Sequence, residues 1–159
     1  MMSLNSLLKV AAAVVVTALF ASEAGAADPK SEADTIAETF LKAGSKLFDA
    51  EDAAGLAATY TEDGQILLVT KKDGQIQNEV REGRANIEEL YSTVFRTIDE
   101  IDSENTIEHS HLISSDILVV HGRFRAKPGM DEFPFVQLRV KRGDRWLLSR
   151  LWLFLNPGA

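Results

Sequence analysis

The chain has three histidines, His109, His111 and His121, all in its second half. Neutral imidazoles are general bases near pH 7 and good zinc or copper ligands, so their mutual placement decides what chemistry they could do. If Ser114-Ser115-Asp116 is a three-residue loop, Ile113 faces Ile117. Counting back then sets His109 opposite His121, with His111 diagonal and Arg123 alongside, all on one sheet face. That cluster reads as a proton-transfer pair or a three-histidine metal site. A two- or four-residue turn would instead move His109 opposite Gly122. The alternation of Leu118, Val120, Gly122 and Phe124 has the pattern of an inner face, which sends His121 and Arg123 outward. The expectation is therefore ordinary outer-face histidines, with no metal and no cofactor.

Two phenols are the other candidates. Tyr60 and Tyr91 occupy helix positions that could point a hydroxyl into a hollow, where an apolar ring with one donor suits a small hydrophobic ligand. The simpler reading makes them core aromatics with satisfied hydroxyls, alongside Phe40, Phe48 and Phe95.

These residues need elements to hold them. Ile36, Phe40, Ala43 and Leu47 recur at helical spacing and end near Asp49; Asp28 before Pro29, and Ser31, are good starts. Asp52 can cap a second helix, Ala53 to Tyr60, broken by Thr61-Glu62-Asp63-Gly64. Residues 65–70 and 75–80 read as a hairpin turned at Lys71-Lys72-Asp73-Gly74. After Gly83, the series Ile87, Leu90, Tyr91, Val94, Phe95 and Ile98 marks a third helix. Strands are expected over 106–113, 117–126, 133–140 and 145–155, with turns at Ser114-Ser115-Asp116, Lys127-Pro128-Gly129 and Arg142-Gly143-Asp144. Helices first and an antiparallel meander last predict an α+β fold, a curved, mostly antiparallel sheet closing over three N-terminal helices to make a cone.

Residues 1–26 are set apart from that fold. A weakly basic start to Lys9, an apolar run from Val10 to Phe20 and the small residues Ala24-Gly25-Ala26 read as a secretory signal peptide. The apolar run is about half the roughly 20 residues that span a bilayer, so no membrane insertion is expected after cleavage. Residues 27–159 then form a single domain, secreted and periplasmic. The leader carries only Lys9 and Glu23, which leaves the net charge of −7 on the rest and makes nucleic acid a poor partner. Without cysteine, no disulfide reinforces the packing.

The helix, the AED followed by GLAATYTEDG, the EGRANIEELY block, the VVHGRF strand and the GDRWLLSRLW finish resemble the nuclear transport factor 2-like superfamily, and within it the SnoaL-like and SgcJ/EcaC-type proteins. The resemblance runs from about Ala33 to Phe154 and implies the cone-shaped, cystatin-like fold. The superfamily holds isomerases, dehydratases, epoxide hydrolases, cyclases and association domains on this scaffold, so function has to come from the site. Ketosteroid isomerase chemistry needs a carboxylate base with a tyrosine and a protonated aspartic acid. The resemblance puts Gly44, Leu68 and Val136 at or near those positions, and none can serve. An epoxide hydrolase would need two aspartates bridged by an arginine, whereas the core strands offer only Glu108 and the turn residue Asp116. A dehydratase of the superfamily does use paired histidines, which keeps His109, His111, His121 and Arg123 beside Tyr60 and Tyr91 as candidate pocket residues.

On the last two strands both parities are apolar. Trp146, Leu148, Arg150, Trp152 and Phe154 share one, as do Phe133, Phe135, Gln137 and Arg139. A monomer rarely leaves such a face in water, so a homodimer is expected through Phe133, Phe135, Arg139, Trp146, Arg150, Trp152 and Phe154. The alternative covering is the C-terminal segment, residues 156–159. Two functions follow: a protein that binds a small apolar or aromatic molecule, passively or as a cofactor-independent isomerase, cyclase or dehydratase, or a non-catalytic association module of the cell envelope.

Overall fold

The computed structural model describes residues 30–72 and 74–155, without the side chain of Lys72. The signal-peptide reading, the Asp28-Pro29 helix start and the C-terminal covering lie outside the described residues. Helix α1, Glu32–Asp49, starts at Ser31, whose Oγ accepts from the Asp34 amide at 3.1 Å. Its deepest stripe is Ala33, Ala37, Leu41 and Phe48, while Ile36, Phe40 and Leu47 flank it and Ala43 is exposed. The expected stripe was therefore turned by about one residue; two alanines let the helix lie close to the sheet, and larger side chains fill its sides.

Helix α2, Ala53–Ala58, is capped by Asp52 Oδ1, which accepts from the Gly55 amide at 2.8 Å. It stops before Tyr60 because other elements take its last carbonyls. The Leu148 amide donates to Thr59 O at 2.9 Å, and the Arg84 guanidinium donates twice to Tyr60 O, at 3.0 and 2.7 Å. Tyr60 thus opens strand β1, Tyr60–Lys72, which continues through the expected break at Thr61–Gly64 as an irregular bulge. Strand β2 is Gln75–Glu82, exposed throughout, and helix α3 is Arg84–Phe95. Strands β3 (Glu104–Ser114), β4 (Ile117–Arg125), β5 (Phe133–Arg142) and β6 (Arg145–Leu155) follow.

The six strands form one sheet in the order β2-β1-β6-β5-β4-β3, antiparallel except for β1 against β6. Helix α1 is tied to β3 and to Ser103 just before it by polar bonds along its length. Ser110 Oγ donates to Asp34 Oδ1 at 2.5 Å, Asn105 Nδ2 to Ser45 Oγ at 2.8 Å, and Ser103 Oγ to Asp49 Oδ1 at 2.6 Å. Phe48 meets Tyr91, Phe95 and Phe124 edge to face, with ring centroids 6.3, 5.0 and 5.1 Å away. This aromatic cluster sits beside α2 and α3.

Two bulges decide which residues look inward. Between Leu138↔Arg150 and Arg139↔Leu148 the register slips, leaving Ser149 without an opposite partner on β5. Leu148 before it and Leu151, Leu153 and Leu155 after it therefore face the same side. A second slip, at Glu108, separates Ile107↔Gly122 from His109↔His121.

Candidate functional site

Between the helices and the concave side of the sheet lies a cavity of about 260 Å³. Its walls are mostly apolar, built from Leu41 and Phe48 of α1, Ile66 and Leu68 of β1, Leu90 and Val94 of α3, Phe124 of β4, Phe135 of β5 and Leu151 and Leu153 of β6. Polar groups are few: Ser45, Thr59 and Asn105, the phenols of Tyr60 and Tyr91, and Gln137 and Arg139 of β5. Among the described residues, no aspartate, glutamate, histidine or lysine lines the cavity.

Arg139 is the unusual member. It is 5 % exposed, lies with its guanidinium carbon 3.5 Å from the centre of the Phe40 ring, and donates from Nε to Gln137 Oε1 at 2.9 Å. No carboxylate among the described residues pairs with it. Burial lowers its pKa to about 9, and the phenols of Tyr60 and Tyr91 act the other way, so it remains a cation at neutral pH. The two hydroxyls lie 2.9 Å apart. Burial pushes the pKa of Tyr60 well up and that of Tyr91 up, and both keep their protons.

The shared phenol proton gives a direct test of that pairing. Tyr60→Phe and Tyr91→Phe should each destabilise by about 1 kcal/mol, because each strands the other hydroxyl, while the double variant costs less than the sum. Urea unfolding of the four proteins checks it; strict additivity would show that the hydroxyls do not depend on each other.

The expected sites are distributed as follows. Tyr60 and Tyr91 line the cavity together, although Tyr60 projects from β1 and not from a helix. His109 pairs with His121 across β3 and β4, but not through a three-residue loop. The turn is Ser115-Asp116, with Ser114 opposite Ile117, and a bulge at Ile113 shifts the register back. His111 lies on the same face opposite Val119. That face is the outer one: His109 and His111 are exposed, and Arg123 forms an ion pair there with Glu108, its Nε 2.7 Å from Oε1. Neither the three histidines nor Arg123 reaches the cavity, which corrects their assignment to a pocket. Among the described residues, no three His, Cys, Asp or Glu side chains gather closely enough to hold a metal.

The expected outer face needs a larger correction. Phe133, Phe135, Gln137 and Arg139 line the cavity, and Trp146 packs on the core beside Lys141. Arg150, Trp152 and Phe154 do fall outside, because the Ser149 bulge reverses the β6 parity. Gly44 and Leu68 line the hollow, whereas Val136 pairs with Trp152 on the outer side. Phe133, Phe135, Gln137 and Arg139 are the cavity residues that sequence reasoning misplaced.

No family model matches this chain, and no curated protein does. Solved structures do match in shape. A putative calcium/calmodulin dependent protein kinase II association domain from Xanthomonas campestris superposes with a TM-score of 0.62 at 19% identity, over 82% of this chain and 91% of that one. An NTF2-like protein with a cystatin-like fold from Novosphingobium aromaticivorans gives 0.58 at 18%, over 80% and 84%. The chain has the nuclear transport factor 2-like, cystatin-like fold. A ketosteroid isomerase-like protein from Erwinia carotovora atroseptica shares this fold, with a TM-score of 0.54 at 22% identity over 79% and 97%. In this version of the nuclear transport factor 2-like cone, the described residues give the interior hydrogen-bond donors and one cation but no base that is free near pH 7.

Proposed function

We propose that this is an exported, periplasmic protein whose single domain binds a small apolar or aromatic molecule inside the cone. The observation that carries the reading is the cavity itself: about 260 Å³, walled by leucine, isoleucine, valine and phenylalanine, with its few polar groups available to orient a guest. A cavity of about 150 Å³ holds benzene, so this one suits one substituted ring or two fused rings. Binding is favoured over acid–base catalysis, because a proton-abstracting step needs a base and the lining supplies none near neutral pH. In a thermal-shift titration the neutral probe 2-naphthalenemethanol should raise the unfolding temperature, and Leu68→Trp should abolish the shift by filling the space. No shift with wild-type protein would refute the reading.

The outer sheet face supports a second property, self-association. Val119, Val136, Leu138, Trp152 and Phe154 make a half-buried apolar strip there, with Arg150 among them. A second copy covers it in our reading, giving a homodimer. An association role for the whole protein would use this face, and the Xanthomonas neighbour is itself described as a putative association domain. Sedimentation at micromolar concentration should show a dimer that Trp152→Asp converts to monomer. A wild-type monomer would exclude this.

A further inference from the structure

The charge inside the cavity narrows the guest. We infer that the cone selects a monocarboxylate with a compact aromatic or branched apolar body, held by the guanidinium of Arg139. This rests on the cavity being a ligand site, and it adds the chemical class of what enters.

A buried cation without a paired anion is costly, because desolvation is repaid only by an opposite charge or a full set of hydrogen bonds. Here one N–H of Arg139 is used, the Nε donor to Gln137 Oε1, and Phe40 covers a face of the group. Among the described residues no acceptor bonds either Nη, and Arg139 lines the hollow. Two parallel N–H donors in a plane match the two oxygens of a carboxylate, a bidentate geometry that a lysine ammonium would not offer. Tyr60 and Tyr91 line the same cavity, and one bond between their hydroxyls uses only one of the two protons, so a second donor remains for an anion. The rest of the wall rejects charge: Leu68, Leu90 and Leu151 are apolar, which disfavours a dianion or a second charged group on the ligand.

Calorimetric titration with 2-naphthoate and with 2-naphthalenemethanol tests this. Wild-type protein should bind the carboxylate at least about tenfold more tightly, a difference of one good charge-assisted pair. Arg139→Met should bind the alcohol as before and lose the preference. Should that variant fail to fold, wild-type protein alone answers through pH. The titratable groups facing Arg139 are Tyr60 and Tyr91, both raised above the usual phenol value, so Arg139 loses its proton first. Naphthoate affinity should be level between about pH 6 and 8 and fall as pH rises through about 9, while alcohol binding stays constant. Equal affinity of wild-type protein for the two probes at neutral pH overturns the carboxylate inference and leaves the cavity reading intact. Binding of neither probe overturns both.

Discussion

Exchanging Arg139 for methionine is expected to make the empty protein more stable, by about 1–4 kcal/mol, the range seen when buried ion pairs give way to hydrophobic residues of similar volume. The stacking on Phe40 and the bond to Gln137 favour the cation, but they do not restore what water provided. The lowered pKa shows the balance: the charged form is held less favourably in the fold than in solution. The sign follows from linkage. Because the folded pKa, about 9, lies below the unfolded value, 12.5, the penalty is fully present at neutral pH and is relieved as pH rises above about 9. The stability gap between Arg139→Met and wild type should therefore be widest near pH 7 and narrow above pH 9. Tyr60 and Tyr91, whose pKa values Arg139 lowers but burial raises above the usual phenol value, keep their protons near pH 9, so the gap there reports Arg139. Urea unfolding at several pH values measures the gap. A variant less stable than wild type by more than about 1 kcal/mol would mean that Arg139 serves the fold and is satisfied within it.

Gly122→Val is expected to have the opposite effect, a loss of at least about 2–3 kcal/mol. Gly122 sits in β4 opposite Ile107 and Phe135, at the slip that precedes His109. A Cβ there would lie 2.2 Å from the Thr106 carbonyl oxygen and 2.7 Å from Phe135 Cζ. The first contact is with backbone held in a sheet, so it cannot be relieved by turning a side chain. The second would displace a ring that forms part of the cavity wall. Denaturant unfolding should show a lower midpoint with an unchanged slope, together with weaker binding of 2-naphthalenemethanol. A cost below about 1 kcal/mol would show that β3 can move away freely, and that the close approach of the strands does not set the shape of the hollow.

Most of the architecture was legible because its signals are local. The Ile87 to Ile98 series, the turn residues at Ser114-Ser115-Asp116 and Arg142-Gly143-Asp144, and the caps Ser31 and Asp52 each depend on near neighbours. The opposition of His109 and His121 was reached from a three-residue loop that the structure replaces by a two-residue turn and a bulge at Ile113, which together give the same register. Facing was harder. The inner side of β4 was read from Leu118, Val120, Gly122 and Phe124, and pairing carries it to Gln137 and Arg139 through Val120↔Gln137 and Leu118↔Arg139. The connection from Arg125 to Phe133 is long, and a change of one residue in its register would have reversed the assignment. The Ser149 bulge then breaks the alternation of β6, a backbone event that two apolar parities cannot reveal. The parity of Phe133, Phe135, Gln137 and Arg139 was read as a dimer face because it was aligned with the tryptophan-rich parity of β6, and so the residues that give the cavity its charge were placed on its outside.

That charge in an otherwise apolar hollow is the centre of the account, and diffraction at the bromine edge from crystals grown with 6-bromo-2-naphthoate examines it most directly. The expected map has the bromine inside the cone among the leucine and phenylalanine walls, with both carboxylate oxygens on the guanidinium of Arg139. A bromine found only on the outer sheet face, or an Arg139 paired with an aspartate or glutamate of the protein itself, would contradict it.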